Sequence, residues 1–461
     1  MNEPQQIDFR QWHHLFKQIP DQDVENTRYF RHLPDAEWSQ YLFPPSTHNL
    51  YGNRLIRKLK FDNSPASLRL WGYVLSEGER IYRARQAGMK VAAVMGDLGA
   101  VPPLIYAFEN VTVFYPDCLW WTPFMMESKV LFDEAGEFGL GDDCCFVRAS
   151  LGAFAKKAYF PQPDFSVAAV GATCDDMSAV ISEAEFLGNE IHYFELPHRH
   201  DDGSQTAALK KMLARQYRDL CRKIELKFGQ KFSETRFFDT LTKVNEARAL
   251  IAESKDILAR SPLNPMGAVE MMCLEFSALS YYGDLDECIL CLRDVRDEMK
   301  SRLEQSRGYP GQNLRLVWIT PPADPLLMNY AEDLSGRIVG SEYLINQTTP
   351  LFKTEGDPFD ILAEAHLSAS LTGSSDFRVK LTLEELERTS ADGVIISGIF
   401  GSSHCPYETI PVMNALREKN IPVLAFDVVA PGKKKLQSQI LNRMQAFMES
   451  LQARQRRRHA G

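Results

Sequence analysis

The sequence lacks the features of a membrane or secreted protein. No uncharged apolar run approaches the roughly 20 residues that a membrane-spanning helix needs. The first segment, Met1–His14, carries charged side chains and two histidines where a secretory signal would have an apolar stretch. We therefore expect a cytoplasmic protein that does not associate with membranes.

The chain also has fewer basic than acidic residues. The 461 residues include 52 Lys and Arg against 61 Asp and Glu, which gives a formal net charge of −9. This balance argues against general binding to nucleic acid. The basic run from Arg454 to His459 is interpreted as a solvated tail.

Two nucleotide-binding motifs are absent. There is no G-x-x-x-x-G-K-[ST] sequence, so any ATP-driven step is expected to come from another protein. The loop Gly96–Pro102 follows an apolar run but has no G-x-G-x-x-G fingerprint of dinucleotide binding. It is a strand-end loop without a nucleotide signature.

A disulfide framework is not expected either. The chain is long, has no export signal and carries an odd number of cysteines, whereas disulfide frameworks belong to small secreted domains. The nine cysteines are Cys118, Cys144, Cys145, Cys174, Cys221, Cys273, Cys288, Cys291 and Cys405. Free core thiols are the simplest interpretation for most of them.

The apolar pattern predicts an α/β fold. Hydrophobic residues make up 44% of the chain and charged residues 25%, which is ordinary for a globular protein. Short apolar runs such as Lys90–Met95 and Gly393–Phe400 are typical of buried parallel strands. Further strands are predicted at Val111–Tyr115, Phe165–Ala172, Ile191–Leu196, Leu314–Ile319, Arg337–Tyr343 and Ile421–Val428.

Helical patterns fill the remaining segments. Helices are predicted at Ser67–Gln86, Phe146–Lys157, Met177–Leu187, Thr206–Lys227, Ser233–Arg260, Asn264–Tyr282, Asp284–Gln305, Thr409–Lys419 and Gln437–Leu451, with a loop at Pro34–Asn53. We therefore expect two doubly wound parallel-sheet domains joined by helices, after a helical N-terminal segment. The predicted boundaries are 1–88 for that segment, 89–230 for the first α/β domain, 231–312 for the helical connection and 313–461 for the second α/β domain.

Three cysteines stand at places where ligands bind in such folds. Cys174 follows the strand ending at Ala172, and Cys405 follows the strand ending at Phe400, so both are expected beyond the carboxyl ends of parallel strands. Cys144 precedes a predicted helix, whose dipole would favour its thiolate. Spacing alone leaves open whether these cysteines share a metal or are scattered structural residues.

Three segments carry a family resemblance. Cys144-Cys-Phe-Val-Arg-Ala-Ser-Leu-Gly152 resembles a motif with a cysteine, an apolar pair, a basic residue and a glycine. Phe160-Pro-Gln-Pro-Asp164, followed by a strand and Cys174, resembles a second cysteine segment, and His404-Cys405-Pro406 a third. The family is that of the 2-hydroxyacyl-CoA dehydratases and benzoyl-CoA reductases.

The resemblance implies a [4Fe–4S] cluster held by Cys144, Cys174 and Cys405, with one iron open to substrate. Cys145 stands at the position where the family has a small residue or proline. It is the alternative to Cys144 as a ligand of the cluster. His404 is a candidate to donate a hydrogen bond or a proton near the cluster. The implied chemistry is low-potential electron transfer to a CoA thioester, either for dehydration of a 2-hydroxyacyl group or for reduction of an aromatic ring.

The resemblance also implies partners. These are a related second subunit, or a second copy of this chain, and an ATP-hydrolysing iron–sulfur activator protein. Two alternatives remain open: a non-catalytic electron-relay or scaffold subunit, and a homodimeric reductase with a double-cubane cluster. The second would need more ligands, recruited from Cys118, Cys145 and Cys288 or Cys291. Without a double cubane, Cys288 and Cys291, a C-x-x-C pair within a predicted helix, are interpreted as core residues. His198 and His200 are interpreted as loop residues.

Overall fold

A computed structural model of the chain describes residues 3–8, 59–75, 77–96, 99–116, 129–157, 160–320, 324–343, 350–402, 408–428 and 434–460. Within these ranges lie two four-stranded parallel sheets, one antiparallel strand pair and the helices that surround them. The predicted α/β class with two parallel-sheet units is confirmed.

The strands and helices have these bounds. The strands are β1 Gln6–Asp8, β2 Lys60–Asp62, β3 Lys90–Met95, β4 Val111–Phe114, β5 Phe165–Gly171, β6 Ile191–Leu196, β7 Leu314–Ile319, β8 Gly336–Glu342, β9 Gly393–Ile399 and β10 Val423–Val428. The helices are α1 Pro65–Leu75, α2 Glu77–Gln86, α3 Pro102–Tyr106, α4 Lys129–Glu137, α5 Arg148–Lys156, α6 Asp175–Phe186, α7 Thr206–Phe228, α8 Glu234–Arg260, α9 Ala268–Ser280, α10 Leu285–Glu304, α11 Pro325–Asp333, α12 Pro358–Ser368, α13 Ser375–Thr389, α14 Thr409–Glu418 and α15 Lys434–Ala460.

The two parallel sheets share one topology. The first runs β4-β3-β5-β6 and the second β8-β7-β9-β10, so in each sheet the order by chain position is 2-1-3-4. The strands β3 and β9 are buried almost throughout, which explains their uninterrupted apolar sequences. All eight predicted strands are present, each within two residues of its predicted ends. The shared order supports a repeated architecture that sequence similarity alone does not reveal.

The long helices between the sheets connect the two units. The 27-residue α8 contacts α3, which follows the first strand of the first sheet, and β8 of the second sheet. Its N-cap, Ser233, accepts a hydrogen bond from the backbone N–H of Arg236, and Asp284 caps α10 in the same way. The helix α10 packs along both α8 and α1. The segment 231–312 thus contains α8, α9 and α10.

The ends of the chain differ from the prediction. Described residues of the N-terminal segment include a strand pair, β1 with β2, in addition to helices. The single helix predicted over Ser67–Gln86 is two helices, α1 and α2, and the predicted loop Pro34–Asn53 lies outside the described residues. The basic C-terminal run is helical up to Ala460, because its Gln, Arg and Ala residues favour continuation of α15.

Candidate functional site

The strand order places two loops at the switch point of each sheet. In the order 2-1-3-4, the chain leaves the first and third strands toward opposite sides, and ligands of open parallel sheets bind in the crevice between those two strand ends. In the first sheet this crevice lies between the loops after β3 and β5, and Thr173 Oγ1 donates to the carbonyl oxygen of Gly96 across it at 3.3 Å. Cys174 is the N-cap residue of α6 at this position.

Cys144, Cys145 and Cys174 meet beside this crevice. The thiols of Cys145 and Cys174 share a hydrogen bond, and the thiols of Cys144 and Cys174 are close enough to interact electrostatically. Cys174 Sγ also donates weakly to Asp176 Oδ2, 3.9 Å away. Cys145 is only 4% exposed, whereas Cys144 and Cys174 are half-buried. The structure therefore brings together two of the predicted ligands and the alternative one.

Arg148 fixes the shape of the loop that holds Cys144. Its guanidinium donates to the backbone carbonyl oxygens of Cys144 and Cys145, the latter at 3.5 Å, and to Asp142 Oδ1 at 3.1 Å. It also lies 4.6 Å from the ring centroid of Phe132 and is almost fully buried. One buried cation thus holds two consecutive cysteine carbonyls in place.

The electrostatics at Cys144 differ from the prediction. The helix α5 begins only at Arg148, with Val147 as its N-cap, so Cys144 stands before the helix and Asp142 and Asp143 do not cap it. Burial raises the pKa of the Cys144 thiol, Asp176 and Asp143 raise it further, and Arg148 opposes them. The hydrogen bond with Cys145, followed by burial, raises the pKa of Cys174 well above its ordinary value. A metal would therefore have to displace protons from both thiols.

A glycine of the second sheet touches the Cys144 loop. Gly401 follows β9 with φ of +82°, and a Cβ placed on it would lie 2.5 Å from the backbone carbonyl carbon of Asp143. The loop after the third strand of the second sheet therefore packs directly against the residue before Cys144. His404 and Cys405 follow Gly401 closely in the sequence, but they lie outside the described residues.

A buried ion-pair network ties together the other loops at this edge of the second sheet. Arg378 of α13, 1% exposed, donates through Nε to Glu342 Oε2 at 2.9 Å and through its terminal nitrogens to Glu408 and to Thr320 Oγ1. Thr320 follows β7, Glu342 ends β8, and Glu408 is the N-cap residue of α14. Arg378 thus connects the carboxyl ends of β7 and β8 to Glu408, the first described residue after Cys405.

A second arginine joins the two sheets through α8. Arg248 is buried, and it donates to the carbonyl oxygen of Gly99 at 3.4 Å and to that of Pro350 at 2.5 Å. Gly99 belongs to the loop after β3, and Pro350 lies beyond β8. The sequence analysis identified none of Gly401, Arg378 and Arg248 as site residues. For Gly401 the sequence does hold a signal, because this glycine directly follows the apolar run Gly393–Phe400, just as Gly96 follows Lys90–Met95.

The remaining cysteines occupy other places. Cys288 and Cys291 are buried in α10, as the core interpretation predicts, and Cys118 lies outside the described residues. His198 and His200 are exposed loop residues. Within the described ranges, no three His, Cys, Asp or Glu side chains are grouped in a way that could hold a metal ion. A centre with three protein ligands would need a residue beyond these ranges, as the prediction with Cys405 already implies.

Comparison with known protein families identifies the family of the chain. A family model described as 2-hydroxyglutaryl-CoA dehydratase, D-component, matches residues 100–451. No curated protein sequence matches the chain significantly. Among the helices in the described parts of the chain, none is both long and apolar enough to cross a membrane.

Proposed function

The chain belongs to the 2-hydroxyglutaryl-CoA dehydratase D-component family, and we propose that it carries a [4Fe–4S] cluster on Cys144, Cys174 and Cys405 and acts on 2-hydroxyacyl-CoA thioesters. Membership of this family supports a role for the chain as a subunit of a dehydratase-type enzyme. The family name denotes one component of a complex, which implies a partner component. The cluster, its ligands and the reaction are the proposed part.

The observation that carries the proposal is the contact between Gly401 and Asp143. It joins the loop that leads to Cys405 with the loop that holds Cys144, while Cys174 already lies beside Cys144. The described donors also fit an iron–sulfur cluster in kind, because Cys thiolates are its usual ligands. Their half-buried position suits a cluster that must be shielded from solvent and still be reached by a substrate.

When bound, the cluster would supply low-potential electrons to the thioester, which the protein side chains cannot do themselves. The chain would supply the geometry. Arg148 would hold the Cys144 loop through its bonds to two carbonyl oxygens, and Arg378 would anchor the chain at Glu408, after Cys405. His404, next to a ligand, is proposed to donate a hydrogen bond or a proton near the substrate. Cys145 is the alternative ligand, supported by its hydrogen bond with Cys174.

The proposed complex has two further members. One is a related second subunit, or a second copy of this chain, and the other is an ATP-hydrolysing iron–sulfur activator, since this sequence has no P-loop of its own. Ring reduction of the benzoyl-CoA type and an electron-relay role remain the alternatives to dehydration. The double-cubane alternative receives no support from Cys288 and Cys291, because both thiols are buried within α10.

The test is iron and sulfide analysis with electron paramagnetic resonance on anaerobically purified protein. Wild type is compared with Cys144→Ala, Cys174→Ala and Cys405→Ala, and Cys221→Ala, a buried cysteine of α7, serves as the matched control. We expect about four irons per chain in wild type and control and loss of iron in the three other variants. About eight irons would favour the double cubane. No iron in reconstituted wild type, or iron retained in all three variants, would overturn the proposal.

A second measurement separates a catalytic subunit from a relay subunit. A 2-hydroxyacyl-CoA is titrated into the reconstituted complex while the magnetic spectrum of the cluster is recorded. An open iron that binds substrate predicts a change in the spectrum that saturates with substrate concentration. An unchanged spectrum, with the substrate bound elsewhere in the complex, would assign this chain to electron relay.

A further inference from the structure

Cys145 differs in its surroundings from the two other thiols beside the first crevice. It is 4% exposed and belongs to the main hydrophobic core. Cys144 and Cys174 are half-buried, and Cys174 packs against this core from its edge. A thiol enclosed by core side chains has no open side from which an iron–sulfur cluster could reach it. Its neighbours in the crevice do have such a side.

Backbone hydrogen bonds hold Cys145 and Cys174 in place. The carbonyl oxygen of Cys145 accepts from the backbone N–H of Arg148 at 3.2 Å and from the guanidinium of the same residue at 3.5 Å. The carbonyl oxygen of Cys174 accepts from the backbone N–H of Ser178, 3.1 Å away in the first turn of α6. The hydrogen bond between the two thiols therefore joins two segments that are each fixed independently.

Only one of these two thiols can keep its proton when the site is loaded. A cysteine that binds iron does so as a thiolate, which has no proton to donate. Because Cys174 is a ligand in the proposed function, the proton of the shared hydrogen bond then belongs to Cys145. Cys174 Sγ also lies 3.9 Å from Asp176 Oδ2, and as a thiolate it can no longer donate to this carboxylate. The S–H group of Cys145 thus faces a sulfur that carries negative charge.

We propose that Cys145 is not a ligand but a positioning residue, whose S–H group donates to the sulfur of Cys174 and raises the reduction potential of the cluster. The proposal rests on the proposed function and deepens it. A hydrogen bond to a ligand sulfur withdraws negative charge, so it favours the reduced state, which carries one electron more. Since a thiol is a weak donor, Cys145 adjusts the potential and does not set it alone.

The contact between the two thiols is tested first, on iron-free protein. Diamide oxidises two thiols to a disulfide where the sulfur atoms can reach each other, and it takes up the two electrons and two protons itself. Cys144→Ala leaves Cys145 as the one cysteine of its loop. We expect this variant to give tryptic peptides joined through Cys145 and Cys174, and the double variant Cys144→Ala with Cys145→Ser to give none. Absence of the joined peptides from Cys144→Ala would refute the contact, whether or not the protein binds iron.

The effect on the potential is tested on reconstituted protein by redox titration followed by electron paramagnetic resonance. Wild type is compared with Cys145→Ala, with Cys145→Ser and with Cys221→Ala, a control whose thiol is also 4% exposed. We expect the iron content of wild type in all three variants. The midpoint potential should be more negative in Cys145→Ala and should return toward wild type in Cys145→Ser, because a hydroxyl group also donates. Cys221→Ala should keep the wild-type potential.

Three results with the loaded protein would overturn the proposal. Loss of iron in Cys145→Ala would make Cys145 a ligand. Retained iron with an unchanged potential would show that its S–H group has no effect on the cluster. An equal shift in Cys145→Ala and Cys145→Ser would mean that lost packing, and not a lost donor, moves the potential. Wild type without iron would refute the proposed function and this role together, and iron analysis detects that outcome before any potential is measured.

Discussion

Gly401→Ala is expected to separate the two loops that hold the cysteines. The new methyl group would lie 2.5 to 2.8 Å from three backbone atoms of Asp143, and backbone cannot rotate away as a flexible side chain can. The residue also has φ of +82°, a conformation that alanine adopts only with strain. The substitution therefore forces either a strained native state or a displaced loop.

The magnitude follows from these two terms. Left-handed backbone costs about 1–2 kcal/mol for a residue with a Cβ, and overpacking costs about 1–3 kcal/mol. The free energy of unfolding is thus predicted to fall by about 2–5 kcal/mol. Gly88 is the matched control, because its φ is +83° and nothing lies within 4 Å of a Cβ placed on it. Gly88→Ala should lose only the first term.

Two assays test this reasoning on the iron-free protein. Urea unfolding followed by tryptophan fluorescence gives the stability difference between the two variants. Alkylation of Cys144 by iodoacetamide, read by mass spectrometry, reports whether the contact beside it has opened. We expect faster alkylation in Gly401→Ala than in Gly88→Ala. Equal stability and equal alkylation in the two variants would refute the contact between Gly401 and Asp143.

Three further predictions concern buried charges and thiols. Arg378→Met leaves the buried carboxylate of Glu342 and the half-buried carboxylate of Glu408 without their arginine, and it should lower the free energy of unfolding by about 3–5 kcal/mol. Arg222→Met, which removes an exposed ion pair, should change the free energy of unfolding by less than about 1 kcal/mol in urea unfolding. Similar losses in the two variants would contradict the role of Arg378. Burial raises the pKa of Glu332 to about 7 from an ordinary 4.5, so between these values the folded state retains a proton that the unfolded chain releases, and stability should fall as the pH rises through this window, by about 3 kcal/mol in all. Urea unfolding at a series of pH values should show a flatter profile for Glu332→Gln than for wild type, and an unchanged profile would count against the shift. Cys291→Ala should lower stability by about 1 kcal/mol, as a small core truncation, and leave the iron content unchanged, so iron loss in this variant would revive the double-cubane alternative.

The strands were predictable because burial on both faces leaves a direct trace in the sequence. Lys90–Met95 and Leu314–Ile319 are apolar runs of strand length, and both strands have the predicted bounds. Short or capped helices were harder. The helix α3 has five residues and begins with two prolines, so it has no periodicity to detect. The helix α12 was not predicted, although Asp357 as the N-cap and Pro358 as the first residue mark its start.

The site was predictable only in part, for a different reason. Position after a strand identified Cys174, and family resemblance selected Cys144 over other cysteines near helices. The contacts that organise the loops involve residues far apart in the chain, such as Gly401 with Asp143 and Arg248 with Pro350. They depend on how the two sheets are placed, which no local pattern records. The pKa of Cys144 was mispredicted because burial and the carboxylates of Asp176 and Asp143 outweigh the nearby guanidinium of Arg148.

The repeated topology explains how two of the proposed ligands arise. The strands β5 and β9 occupy the same place in their sheets, and each is followed by a cysteine and then by a crossover helix. Glycines with positive φ, Gly171 and Gly401, end or follow these strands. Cys144 has no counterpart in this scheme, because it comes from the connection between β4 and β5. Two equivalent loops and one unpaired loop give three thiolates, which leaves the fourth iron of the proposed cluster without a protein ligand. Because the three proposed ligands come from loops of both sheets, the distance between the sheets decides whether these loops can meet. The groups that set this distance, Gly401 against Asp143 and Arg248 on α8, are therefore expected to govern cluster assembly as strongly as the cysteines do.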